Sequence, residues 1–329
     1  MSGLPYKNVF ETPDDAPNEA DTGDGRGGAP IDESVKVWHG LFAATATLIA
    51  LVFIGSPVQY YMGMSGLAIT ELVILLLAFI FTFGFKRDFQ AVFPFRRPKA
   101  RQLVGTLLVW FGFWGASMLA ALFIELFFPG MAVEAGEGLS DFFRDTPYAL
   151  TILVVAVMPA ICEEAMFRGF IQHSFGRLGK WSNIMLAAVL FGLFHMDPAR
   201  VLPTGILGFG LAYIMIKTDN LLLPMLFHFI NNAMSASMSF LPRYLPAEIE
   251  SSVAAALTLD DILVSLLLFI GVPTCVLVGG ILLEKRRPNV RGRFRDKRVP
   301  IAVAVIVTLL LVAGFAIGVS RSAGAGTLI

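Results

Sequence analysis

Residues 148–172 read YALTILVVAVMPAICEEAMFRGFIQ, and this stretch decides the fold class. It is long enough to cross a bilayer, which takes about 20 mainly apolar residues at about 1.5 Å each. Yet it carries Glu163, Glu164 and Arg168. An ionisable group near the centre of a span costs about 2.5–3.5 kcal/mol on insertion scales, so an apolar run that keeps three of them reads as one helix of a membrane bundle with a polar interior. The remaining sequence agrees. Of 329 residues, 56% are hydrophobic and 15% charged, against about 45–50% and 25% in soluble domains. Mean hydropathy is +0.72.

Nine apolar segments are present, roughly 38–54, 67–85, 103–128, 148–172, 184–196, 203–217, 221–240, 262–283 and 300–320. They predict an all-α fold, a polytopic membrane helix bundle of about nine spans, with eight as the alternative count. Residues 1–37 are polar, acidic and rich in Pro, Gly and Asp, the composition of a disordered cytoplasmic tail and not of a cleavable signal peptide. The transmembrane domain is expected over 38–320, with a short C-terminal tail over 321–329. The DPAR turn, Asp197–Arg200, separates two short segments and is expected to be covered by protein or to line a water-filled cavity.

Lys and Arg counts in alternate connections set the orientation. Residues 86–101 hold six, 172–182 two, 217–220 one and 284–299 eight, whereas the other set holds Arg144, Arg200, Arg243 and Arg321. This asymmetry puts the N-terminus in the cytoplasm and, with nine spans, the C-terminus outside. With 25 basic and 25 acidic side chains the net charge is zero, which removes the electrostatic footprint of a nucleic-acid binder. The basic run at 284–299 reads as a topology signal. Cys162 and Cys275 lie in apolar stretches, which favours neither a disulfide framework nor a reactive thiol.

Three clusters of polar residues interrupt the spans: Glu163, Glu164 and Arg168 in the fourth, His195 at the end of the fifth, and His228, Asn231 and Asn232 in the seventh. Counted from the assigned cytoplasmic ends, Glu163, His195 and His228 lie roughly 13, 16 and 10 Å deep. They share one slab. Glu164 and Arg168 are four apart with the acid first, the favourable order for an intrahelical ion pair, so these two are expected to be supporting residues. Glu163 is turned about 100° away and has no basic residue three or four positions from it. His228 and Asn232 are four apart and share a face, whereas Asn231 is turned aside. Phe191, one turn before His195, is placed to pack against its imidazole. Pro159 and Pro224, each four residues before Glu163 and His228, suggest kinks that polar groups could occupy. Glu71 and Glu125 are expected near the outer ends of their spans, solvated or bonded locally. His39 and His173 are expected at the interface.

A carboxylate and an imidazole facing one water can make it a nucleophile, while a second imidazole and an amide can donate to an oxyanion. No GxSG-like serine and no HExxH sequence is present. Zinc held by Glu163, His195 and His228 remains an alternative; no other cofactor is expected.

EEAMFR (EExxxR, Glu163–Arg168), FGLFH (FxxxH, Phe191–His195) and HFINN (HxxxN, His228–Asn232) together resemble the signature of the CPBP intramembrane protease family, the CAAX-processing endopeptidases and their bacteriocin-linked relatives. The resemblance covers about 148–240. It implies an all-helical core with its site in a cavity open to the cytosol, water activation by Glu163 with His195, and oxyanion stabilisation by His228 and Asn232. It implies a membrane-associated peptide substrate for a bacterial plasma-membrane protein. Two other classes fit the residues: a non-catalytic membrane immunity or scaffold protein of the same family, and a proton-coupled transporter.

Overall fold

A computed structural model describes residues 36–131, 145–240 and 272–283, with 134, 136, 138, 142 and 143 between the first two stretches. The tails, the basic run 284–299, the ninth apolar segment and the beginning of the eighth lie outside the described residues. What is described is helical, with no strand among those residues. Four helical stretches are long and apolar enough to cross a membrane, and the protein is an integral membrane protein.

The first two apolar segments form one nearly continuous helical run. Helix α1 (Val37–Ala50) passes through a π-helical turn, Leu51–Gly55, into α2 (Ser56–Gly84). The chain reverses inside that run at Gly63, whose φ of 54° and ψ of −126° suit a residue without Cβ. Gln59 Nε2 then donates to Thr70 Oγ1 across the hairpin at 3.2 Å. Helix α3 spans Ala100–Phe127, and α4 is the helical run Tyr148–Ser174. The fifth segment begins earlier than its apolar run, as α5 (Lys180–Leu193), and so does the sixth, α6 (Pro198–Thr218). Asp197 explains the second shift: its carboxylate accepts from Ala199 N at 2.9 Å and caps the helix, with Pro198 at the first position. Helix α7 spans Leu222–Phe240 and α8 Val272–Leu283.

Glycines let α5 and α6 touch. A Cβ on Gly192 would stand 2.5 Å from Val201 O and 3.0 Å from Gly205 Cα, so any side chain there would push the two helices apart. Helices α4 and α7 run antiparallel, with Tyr148 beside Ser237, Val155 beside Asn232, and Glu164 beside His228.

The contacts also sort the connections onto two ends of the bundle. At one end Arg87 Nη2 meets His39 Nδ1 at 2.7 Å, Arg96 Nη2 donates to Asp219 Oδ2 at 2.6 Å, Leu221 N donates to Pro94 O, and Arg101 Nη1 donates to Leu282 O. This basic end gathers the connections α2–α3, α4–α5 and α6–α7. It is filled by a core of Met166, Phe167, Phe170, Ile171, Phe175 and Met215, each at most 2% exposed. His39 and His173 are buried here, not interfacial; His39 also stacks on Phe85, with ring centroids 4.4 Å apart. The Gly63 hairpin tip, the stretch between α3 and α4, and the α5–α6 turn share the opposite end. There Glu125 is bonded locally, its Oε1 accepting from Gly130 N at 2.6 Å.

Candidate active site

Helix α4 is not regular. Two π-helical turns, Ile152–Val157 and Ala165–Ile171, flank an α-helical piece, Met158–Glu164. Pro159 has no N–H to return to the carbonyl four residues back, which is Val155. That carbonyl accepts instead from Asn232 Nδ2 at 3.0 Å. The proline in one helix thus creates the acceptor that fixes an amide on another. Pro224 does nothing comparable: it is the third residue of α7, in the first turn, where backbone N–H groups lack intrahelical partners anyway. The kink expected there is absent.

Glu164 and Arg168 form the anticipated pair, Nη1 to Oε1 at 3.0 Å, with both side chains fully buried. The same Oε1 also takes His228 Nδ1 at 2.8 Å, a link that the pairing within α4 did not foretell. Arg168 donates further to Gly208 O at 3.2 Å and lays its guanidinium 4.3 Å from the centroid of Phe191. Phe191 stands edge-on to both imidazoles, at 5.2 Å from His195 and 5.7 Å from His228. His195 Nδ1 is bonded to Phe191 O at 3.0 Å. Both histidines therefore have Nδ1 committed as a donor, and Nε2 is the nitrogen left for a substrate or a water.

These groups border a cavity of about 700 Å³. Glu163, His195, His228 and Asn232 all line it, and Glu163 takes no hydrogen bond from any described residue. Asn231 lines it too, although helical geometry turned it aside. Its Nδ2 donates to Asn232 Oδ1 at 3.3 Å, which leaves Asn232 Nδ2 pointed at Val155 O with a second N–H in reserve. Asp197 and Arg200 of the DPAR turn are on the wall, as expected of a turn that borders a cavity.

Glu71 corrects an expectation. It is 3% exposed, not solvated, its Oε2 has no hydrogen-bond partner, and it lines the same cavity within electrostatic range of Glu163. The reason is the hairpin: α2 continues back to Gly63, so Glu71 lies eight residues inside the turn instead of near a span's end. Among the described residues no three His, Cys, Asp or Glu side chains gather as a metal-ligand set.

A membrane helix bundle with these motifs on one cavity wall defines the class. Residues 145–234 match the family model of the Rce1-like type II CAAX prenyl endopeptidases. Over 163 residues the chain is 26% identical to the Bacillus subtilis (strain 168) protein named "Putative membrane peptidase YdiL". That match covers 44% of this chain and 62% of the relative, so the chain spans less than two thirds of the relative's length. No solved structure matches. The chain carries a CPBP-family core, in the segment that bears all three motifs.

Proposed function

We propose that the chain is an intramembrane endopeptidase that hydrolyses a peptide bond of a membrane-associated substrate with a protein-activated water. The observation that carries this reading is Glu163: a carboxylate free of hydrogen bonds to described residues, on a cavity wall shared with two imidazoles whose Nδ1 atoms are already engaged. Water held between Glu163 and His195 Nε2 gives its proton to Glu163, and the resulting hydroxide attacks the scissile carbonyl carbon. Negative charge develops on the carbonyl oxygen. His228, as imidazolium, donates from Nε2, and Asn232 donates its remaining N–H. As the tetrahedral intermediate collapses, Glu163 returns the proton to the leaving amine. One water is consumed, and carboxyl and amine products result. Glu164 and Arg168 touch no reacting atom; Glu164 positions His228.

The loop charges support a cytoplasmic N-terminus and, by analogy with the relative, a bacterial plasma membrane. Matched membranes containing the wild-type chain or Glu163→Ala, compared by mass spectrometry of their peptides, test the proposal. New termini are expected only with the wild-type chain. Identical peptide sets, with the cellular phenotype of the wild type preserved in Glu163→Ala, would replace it with a non-catalytic immunity or scaffold role.

A further inference from the structure

The resemblance implies a site open to the cytosol, and the loop charges put the basic end in the cytosol. The cavity lies toward the other end. None of its lining residues belongs to the α2–α3, α4–α5 or α6–α7 connections. Its walls come from the halves of α2, α3, α4 and α6 remote from those connections, joined by Asp197 and Arg200 of the α5–α6 turn. Its rim is exposed: Glu134, Gly136, Gly138, Phe142 and Ser235 all line the cavity and all face outward. Toward the basic end the path is shut by the packed core of Met166, Phe167, Phe170, Ile171 and Phe175, and by the fully buried Glu164–Arg168 pair. An extended polypeptide cannot cross such packing, because each backbone group stripped of its hydrogen bonds costs several kcal/mol.

Orientation then fixes the compartment. Ten described Lys and Arg residues, from Lys36 to Lys217, lie in or beside the basic-end connections, and Arg200 lies at the other end. We infer that the site receives its polypeptide from the non-cytoplasmic side, so that its substrates are membrane-anchored chains whose scissile bond lies just beneath the non-cytoplasmic surface. The nature of the cargo rests on the endopeptidase reading above; the side of entry rests on the cavity and the charges alone.

Cysteine labelling tests the side of entry without needing a substrate. In the full chain carrying Cys162→Ala and Cys275→Ala, Ser235→Cys places a thiol on the cavity wall, and Thr204→Cys places another on α6. Gly179→Cys marks the α4–α5 connection, where a Cβ meets nothing within 4 Å. Spheroplasts of a bacterial host are treated with a membrane-impermeant maleimide before and after permeabilisation. Both wall cysteines are expected to label in intact spheroplasts at least tenfold more than Gly179→Cys, which labels only after permeabilisation. Labelling from the same side as Gly179→Cys overturns the inference, as does the reversed pattern or a wall cysteine that stays inert until denaturation. None of these results bears on hydrolysis, whereas full turnover by Glu163→Gln removes the endopeptidase reading and leaves the sidedness standing.

Discussion

Glu164→Gln is the substitution whose outcome the geometry constrains most tightly. In the wild type one buried carboxylate oxygen accepts from Arg168 Nη1 at 3.0 Å and from His228 Nδ1 at 2.8 Å, and neither Glu164 nor Arg168 has any exposed side-chain surface. Charge-assisted hydrogen bonds contribute about 1.5–3 kcal/mol each, and removing one partner of a buried ion pair costs about 3–5 kcal/mol because the other charge is stranded. A neutral interhelical hydrogen bond in a membrane averages only about 0.6 kcal/mol, so the stranded charge dominates. A loss of about 4 kcal/mol is expected, nearly a thousandfold in the folding equilibrium. Thermal unfolding in detergent, followed by tryptophan fluorescence, and abundance in membranes would register it. Glu164→Gln combined with Arg168→Met removes the stranded charge and is expected to recover most of the stability, less about 1 kcal/mol for the unpaired Gly208 carbonyl. Turnover should not recover with it, since His228 still lacks its carboxylate. A single variant within about 1 kcal/mol of wild type, or a double variant that regains turnover, would refute the assignment of Glu164 as the group that positions His228.

Glu163→Gln or His195→Ala is expected to lower turnover by about 10²–10⁴ with thermal stability and membrane insertion retained, as measured with a quenched-fluorescent peptide built on the cleaved sequence. Asn232→Ala should cost about 10²–10³ in kcat with little change in KM, and Asn232→Asp more, because it places an anion where negative charge accumulates. Full activity in Asn232→Asp would assign the amide to packing against Val155. Glu71→Met should unfold at an equal or higher temperature, because it deletes a buried acceptor without a partner, a group whose desolvation costs about 1–3 kcal/mol. Lower stability would mean that Glu71 has a structural partner. Extensive chelation should leave turnover intact; loss of activity restored by stoichiometric zinc would instead make Glu163, His195 and His228 ligand candidates.

What the sequence disclosed was local or periodic. The Glu164–Arg168 pair and the contact of Phe191 with His195 follow from four-residue helical spacing, and both are present. The slab estimate, built on loop charges and segment lengths, put Glu163, His195 and His228 at similar depth, and they line one cavity. Contacts between helices were not legible. Nothing in spacing ties Glu164 to His228, 64 residues away, or the carbonyl released by Pro159 to Asn232. Glu71 was misplaced because a helix end was read from hydropathy, which falls before Gly63 while the helix itself does not end. Asn231 was set aside by a 100° rotation that matters on a flat helix face and little in a cavity wide enough to touch both neighbours. The end of the bundle that holds the cavity depends on which side chains fill the other end, and no periodicity encodes that.

The π-helical turn at Ile152–Val157 has a consequence for how the two glutamates came by different surroundings. They are chemically identical neighbours, and only angular phase along α4 gives one to the cavity and the other to Arg168. A π turn amounts to one residue inserted into an α-helix. Deleting a single residue from 152–157 would let the segment rewind and turn everything beyond it by about 100°, the angle that separates Glu163 from Glu164. Such a shortened chain would keep every motif letter in its text while exchanging the places of its two carboxylates. Alignments that tolerate a one-residue gap in this turn would therefore join proteins whose site glutamates are out of phase.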